Sequence, residues 1–203
     1  MPRAGLTRAV VVAAAADLAD EIGFEQLTLA ALAARLGVAV PSLYKHIDGL
    51  DALRREIGLL ALVQLGSTLQ AALAPPEPFA APSAGTAAAL ASVALAYRRF
   101  ALERPGRYAS TVRAAPAADA ELAAASDRVL RPVLEVLSAR GLEGDDAIDA
   151  TRTLRAALHG FAALEAAGGF GLPRDVDRSF ERLVTTLDRG LGVEIASSRS
   201  SSL

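Results

Sequence analysis

The chain has 203 residues, of which 52% are hydrophobic and 4% aromatic, and its formal net charge is −2. The absence of cysteine excludes disulfides, a thiolate nucleophile and Cys-based zinc sites. Two histidines, without an HExxH, GxSxG or phosphate-loop pattern, predict no enzyme, cofactor or metal site. No signal-peptide pattern and no apolar run of about 18–20 residues occurs. These features predict a soluble, cytoplasmic protein with no membrane partner.

The abundance of alanine and leucine predicts an all-α fold. The first two helices are predicted over 7–22 and 29–36, where apolar residues recur every three or four positions. Thr28 suits the N-cap of the second helix. Gly37 suits the left-handed residue that ends it. Two short helices joined this way predict a helix-turn-helix.

A third short helix is predicted over 40–47. On a helical wheel, Leu43 and Ile47 point inward while Pro41 and Lys45 point outward. Lys45 is the only lysine among 21 basic residues. A helix this short is unstable alone, so its inner face must pack on its neighbours and its outer face stays available for contact.

The outer face of the third helix suits the major groove of DNA. Lys45 can neutralise a phosphate or donate to guanine. Ser42 and Tyr44 can donate hydrogen bonds to phosphate oxygens, and Pro41 and Val40 offer apolar contact to a thymine methyl. This pattern predicts a DNA-reading face. The alternative interpretation is a solvated amphipathic helix.

The rest of the chain is predicted to form a connecting helix and a second helical module. Four prolines in "APPEPFAAPSAG" indicate a connector rather than a helix. The predicted domains are 1–49 (helix-turn-helix), 50–73 (connecting helix), 74–85 (Pro-rich connector), 86–193 (ligand-binding and dimerisation domain) and 194–203 (disordered tail). Within the second module, helices are predicted over 86–104, 127–140, 145–167 and 175–191.

The stretch "LTLAALAARLGVAVPSLYKHIDGLDAL" resembles the DNA-binding domain of the TetR (tetracycline-repressor) family of transcriptional regulators. The resemblance implies a homodimer whose two third helices enter successive major grooves of a double-stranded operator. It implies DNA contacts by Thr28, Val40, Pro41, Ser42, Tyr44, Lys45 and His46.

This sequence departs from the family pattern at two places. Ala39 replaces the usual cap of the third helix, and we expect Val40, which precedes a proline, to act as the non-helical cap. Leu50 stands where many members carry a phosphate-binding lysine. We expect Arg54 or Arg55 to substitute for that lysine, and Arg3 and Arg8 to add contacts from the N-terminal arm.

Residues 158–191 resemble a C-terminal domain type of the same family that is named for a Trp-His-Gly motif, here Leu158-His159-Gly160. The resemblance implies dimerisation through the last two helices and a pocket for a small-molecule effector. Candidate pocket residues are Tyr97, Phe100, Tyr108, His159, Phe161 and Phe170. Ordinary core packing is the alternative role for each.

Together these resemblances imply a ligand-responsive homodimeric repressor that releases its operator when an effector binds. Two alternatives stay open. The chain could be a helical small-molecule- or protein-binding dimer with a weakened DNA head, because residues 1–58 carry more acidic than basic side chains. It could also be a transcriptional activator or require a corepressor.

Overall fold

The computed structural model describes residues 6–74 and 85–191, which form nine α-helices and no strand. The predicted all-α fold is confirmed. The predicted connector at 74–85 and tail at 194–203 lie almost entirely outside the described residues. The helices are α1 (Arg8–Ile22), α2 (Leu29–Leu36), α3 (Val40–Leu43), α4 (Leu50–Leu73), α5 (Thr86–Glu103), α6 (Pro105–Ser110), α7 (Ala120–Ser138), α8 (Gly144–Ala166) and α9 (Val176–Leu191).

The chain divides into two compact units, and α4, α5 and α7 each contribute residues to both. The first unit contains residues 6–68 and 99–130, with the head helices α1 to α3 packed in sequence and α1 packed against α6. The second contains residues 69–98 and 131–191, where α8 packs against α9. The predicted domain boundaries follow sequence motifs rather than this division, and they stay predictions.

Residues next to α2 in the sequence set both of its ends. Thr28 is the N-cap of α2, and its hydroxyl accepts a hydrogen bond from the amide of Ala31 at 3.1 Å. Gly37 ends α2 in the left-handed conformation (φ 66°, ψ 35°), where its amide donates to the carbonyls of Ala33 and Ala34. The predicted bounds of α2 are therefore confirmed at both ends.

The third helix is shorter than the predicted 40–47. Regular helix ends at Leu43, and the amide of His46 then donates to the Leu43 carbonyl at 2.8 Å in a tighter turn. The N-cap is Ala39, which has extended backbone angles and offers no side-chain hydrogen bond. The expectation that Val40 caps this helix is wrong, because Val40 is its first helical residue. Hereafter, residues 40–47 are called the recognition segment.

Two features of the first unit differ from the predicted helices. α6 lies between the helices predicted over 86–104 and 127–140 and was not predicted; it begins at Pro105, and proline is well tolerated in the first turn of a helix. α7 begins at Ala120 rather than near position 127. Its start is fixed by Asp119, whose carboxylate accepts a hydrogen bond from the amide of Leu122 at 3.1 Å.

Candidate functional site

The recognition segment is held from behind by the core of the first unit. Leu43 and Ile47 are buried, as the wheel predicts, in a cluster that contains residues of α1, α2 and α4. Leu53 and Ile57 of α4 belong to the same cluster, so the segment and the start of α4 share one core. This packing supplies the stability that a four-residue helix lacks by itself.

The outer side of the recognition segment faces solvent. Pro41, Tyr44 and Lys45 are exposed, Tyr44 to 57%, and Ser42 and His46 are half-buried. Within the described ranges, the side chains of Tyr44 and Lys45 form no hydrogen bond or ion pair. The structure therefore brings a phenol and an ammonium group together on one solvent-facing surface, and neither group has a polar partner among the described residues.

The two remaining predicted contacts have partly structural roles. The Thr28 hydroxyl is used as a cap acceptor, which leaves its O–H free to donate to a phosphate oxygen. Val40 is half-buried and packs on the head core. Thr28 is thus compatible with the predicted contact, and Val40 offers only part of its side chain to a thymine methyl.

Two acidic side chains of the head, Glu21 and Glu25, are paired with arginines. Glu21 accepts two hydrogen bonds from Arg35, at 2.5 and 2.8 Å, and this hydrogen bonding lowers the pKa of the Glu21 carboxyl. Arg54 lies 3.8 Å from the carboxylate of Glu25 and donates to its backbone carbonyl. This pairing locally offsets the acidic balance of the sequence.

The arginines that were expected to replace the missing phosphate anchor are themselves ion-paired. Arg55 donates to Asp119 at 2.5 and 2.7 Å and to Glu121 at 2.9 Å, and this hydrogen bonding raises the Arg55 pKa. Arg8, an expected arm contact, donates to Glu56 at 2.7 Å, and Arg3, the other, lies outside the described residues. Arg55 therefore connects α4 to the start of α7 by ion pairs. A contact between Arg55 and a DNA phosphate would have to compete with these two carboxylates.

A second ion-paired contact joins α1 to α6. Arg107 is buried and binds both Asp17, at 2.6 Å, and Asp20; its backbone amide also donates to Asp20 at 2.8 Å. The preceding Gly106 lies so close to α1 that a β-carbon there would meet the carbonyl carbon and oxygen of Ala19 at 2.1 Å. Only glycine fits this approach without displacement. Sequence reasoning missed this contact.

A groove of about 430 Å³ lies in the first unit between α4 and α5. It contains Phe100, one of the predicted effector-pocket residues, whose ring is buried. The groove is otherwise mostly polar, and its lining is Val63, Gln64, Ser67 and Thr68 of α4 with Arg99, Phe100 and Glu103 of α5 and the following Arg104.

The other five predicted effector residues do not line this groove. Phe161 contacts Phe170, with ring centroids 4.7 Å apart, and both rings belong to the second unit. Tyr97 packs on the core of that unit, and His159 is half-buried on α8. Tyr108 is buried in α6 of the first unit. Each of these placements is equally compatible with ordinary packing, so the pocket assignments stay predictions.

Sequence reasoning also missed a buried cation in the second unit. Arg98 donates to Glu165 at 2.7 Å through Nε and lies 2.7 Å from a carboxylate oxygen of Asp177. Its guanidinium carbon lies 4.8 Å from the centroid of Phe180 and 5.7 Å from that of Phe161. Arg98 thereby links α5, α8 and α9.

The described residues contain no group of three or more His, Asp or Glu able to hold a metal ion, and no helix among them has the length and hydropathy to cross a membrane.

A helix-turn-helix whose inner face packs on a core and whose third helix exposes a lysine and a tyrosine is typical of a DNA-binding regulator. Comparison with family models agrees: residues 11–57 match the model described as bacterial regulatory proteins, tetR family, and residues 90–187 match a tetracyclin repressor-like C-terminal domain. The chain belongs to the TetR family of transcriptional regulators.

Relatives span nearly the whole chain. The HTH-type transcriptional regulator YobS of Bacillus subtilis (strain 168) is 36% identical over 191 residues, covering 94% of this chain and 95% of the relative. A solved protein of Rhodococcus sp. has a TM-score of 0.76 at 26% identity, covering 95% of this chain and 98% of that one. A TetR protein of Acinetobacter baumannii AYE, solved in complex with minocycline, has a TM-score of 0.65 at 24% identity, covering 92% and 96%. The last similarity concerns the fold alone.

Proposed function

We propose that this regulator is a homodimeric repressor that reads its operator with the recognition segment and releases it when a small-molecule effector binds. One observation carries the DNA-reading part: Leu43 and Ile47 are buried while Pro41, Tyr44 and Lys45 are exposed. In this assignment Lys45 contacts phosphate or guanine. Tyr44 and Ser42 contact the sugar-phosphate backbone of the DNA, and Thr28, Val40 and His46 contact the DNA at the edge of the interface.

Dimerisation is assigned to α8 and α9. Leu164 of α8 is 53% exposed, and Leu172, in the segment between the two helices, is 81% exposed. Apolar side chains of this size gain free energy when a second copy covers them. The Leu164→Asp variant should therefore form fewer dimers than the parent in sedimentation experiments, whereas Val10→Asp, at an exposed apolar residue of α1 outside the proposed interface, serves as the control.

Effector binding is proposed to act through α4. This helix begins directly after the recognition segment and shares a core with it, so a change in its tilt moves the segment. In a dimer, the two segments must stand about 34–36 Å apart to enter successive major grooves. A coupling of about 1–3 kcal/mol between effector and operator lowers operator affinity roughly 5–150-fold.

The DNA-reading assignment can be tested by fluorescence anisotropy on the promoter beside the protein's own gene. Tyr44→Ala and Lys45→Ala should each weaken operator binding by about 1–3 kcal/mol while the dimer persists. Lys45→Ala should also reduce the slope of log affinity against log salt by about 0.9. Arg131→Ala, an exposed arginine on α7, is the matched control. Parent-like binding by both head variants would show that the reading face is misassigned.

A helical ligand- or protein-binding dimer with a weakened DNA head is the second candidate. The ion-pairing of Arg8 and Arg55 favours it, because these side chains are engaged away from any phosphate. Absence of operator binding at about 50 mM salt, where phosphate contacts are strongest, would select this candidate. Expression of neighbouring genes in a deletion strain separates a repressor from an activator.

A further inference from the structure

We propose that the groove between α4 and α5 binds a small organic anion, a carboxylate or a phosphate monoester. The charged group lies on the guanidinium groups of Arg99 and Arg104, and the apolar body lies on Val63 and Phe100. The effect of this ligand on DNA rests on the proposed function, whereas the binding itself does not.

The basic side of the groove carries the anion specificity. Arg99 and Arg104 are exposed and form no ion pair within the described part of the chain. Arg98 and Arg107, which flank them in sequence, are instead buried and ion-paired. Glu103 on the same rim is also unpaired among these residues, so the rim carries two positive charges and one negative. Guanidinium groups bind carboxylate and phosphate through two parallel hydrogen bonds.

The opposite wall supplies neutral polar groups. The Thr68 hydroxyl donates to the backbone carbonyl of Gln64 at 2.8 Å, so its oxygen stays available as an acceptor. Ser67 and the Gln64 amide can donate to an ester, amide or hydroxyl group of a ligand. A volume of about 430 Å³ lies within the range of small-molecule sites, and the buried ring of Phe100 gives the ligand an apolar contact.

The groove is connected to the DNA-reading head by short structural paths. Arg104 directly precedes α6, whose Gly106 and Arg107 contact α1. Val63 lies six residues after Ile57 on α4, which corresponds to about 9 Å of helix, and Ile57 belongs to the core behind the recognition segment. A ligand that draws Arg104 toward α4 therefore acts on both helices that support the head.

The test is isothermal titration of the full-length protein with three probes that share a phenyl group: 4-phenylbutyrate, the neutral 4-phenylbutyramide and phenyl phosphate. The parent should bind at least one anion about tenfold more tightly than the amide, and the better anion identifies the headgroup. The double variant Arg99→Gln/Arg104→Gln should lose this preference. The variant Arg113→Gln/Arg131→Gln, which removes two exposed arginines outside the groove, should keep it.

Three results would overturn the proposal: neither anion binds, the amide binds as tightly as the anions, or the Arg99/Arg104 double variant retains parent affinity. Circular dichroism melting of both double variants, with unchanged midpoints expected, shows that a lost preference is not lost folding. Operator affinity without any probe is measured separately. If the protein does not bind its operator, the proposed function is contradicted while the titration result stands. Failure of the proposed function and failure of the anion-site proposal are therefore distinguishable.

Discussion

The close approach of α6 to α1 gives a prediction whose magnitude follows from the structure. In Gly106→Ala, the new β-carbon would lie 2.1 Å from the carbonyl carbon and oxygen of Ala19 and 2.5 Å from the amide nitrogen of Asp20. Carbon atoms pack at about 3.5 Å, so the two backbones must separate by about 1.4 Å along that line. Both neighbours are backbone atoms in a helix and cannot rotate away.

The cost has two parts. Overpacking of this kind destabilises by about 1–3 kcal/mol, and displacement of α6 weakens the charged hydrogen bonds between Arg107 and Asp20, worth about 1.5–3 kcal/mol. Alanine recovers about 1 kcal/mol of helix propensity. We expect Gly106→Ala to lower the free energy of unfolding by about 2–4 kcal/mol, measured by urea denaturation with circular dichroism.

Two other helical glycines serve as graded controls. At Gly58, a β-carbon would come no closer than 3.8 Å to its neighbours, so Gly58→Ala should stabilise by about 0.5–1 kcal/mol. At Gly66, it would lie 3.1 Å from the backbone of Arg128, which predicts an effect between the other two. If Gly106→Ala is as stable as Gly58→Ala, the inferred contact between α6 and α1 is incorrect.

Two further predictions concern ion pairs. Arg98→Met leaves the Glu165 carboxylate without its guanidinium partner in a mostly buried site, and it should lower the free energy of unfolding by about 3 kcal/mol in the same urea assay. Arg152→Met is the control, because the side chains of the Arg152–Asp149 pair are about three-quarters exposed. It should change the free energy of unfolding by less than about 0.5 kcal/mol. Hydrogen bonding from Arg55 lowers the pKa of Asp119 from 3.8 to about 2, so its charge stabilises the fold above the unfolded pKa and loses this effect as pH falls toward 2. The stability difference between parent and Asp119→Asn should shrink over that acidic range, and a constant difference would contradict the assignment.

Elements with local signals could be predicted from the sequence. α2 begins after Thr28 and ends at Gly37, because a hydroxyl cap and a left-handed glycine act within one helical turn. The burial of Leu43 and Ile47 followed from helical periodicity alone. These local features are also the ones that identify the DNA-reading head.

Features that depend on distant partners could not be predicted. α6 is stabilised by Arg107, whose partner Asp20 lies 87 residues earlier in the chain. The proline at the start of α6, Pro105, is by itself more typical of the end of a helix. Arg98 and Glu165 are 67 residues apart, and nothing in either neighbourhood indicates the pairing. The ion pairs of Arg55 could not be predicted for the same reason, since Asp119 and Glu121 are remote in sequence.

The internal ion pairs of the head have a consequence for how this regulator searches a genome. Among residues 6–58, Lys45 is the one cation that forms no ion pair with a described carboxylate. Affinity for random sequence comes from cations that displace counterions, so few such cations mean brief stays at wrong sites and little sliding along the duplex. The protein would then find its target mainly by repeated encounters from solution, and its discrimination would depend on base-edge contacts more than on general attraction to DNA.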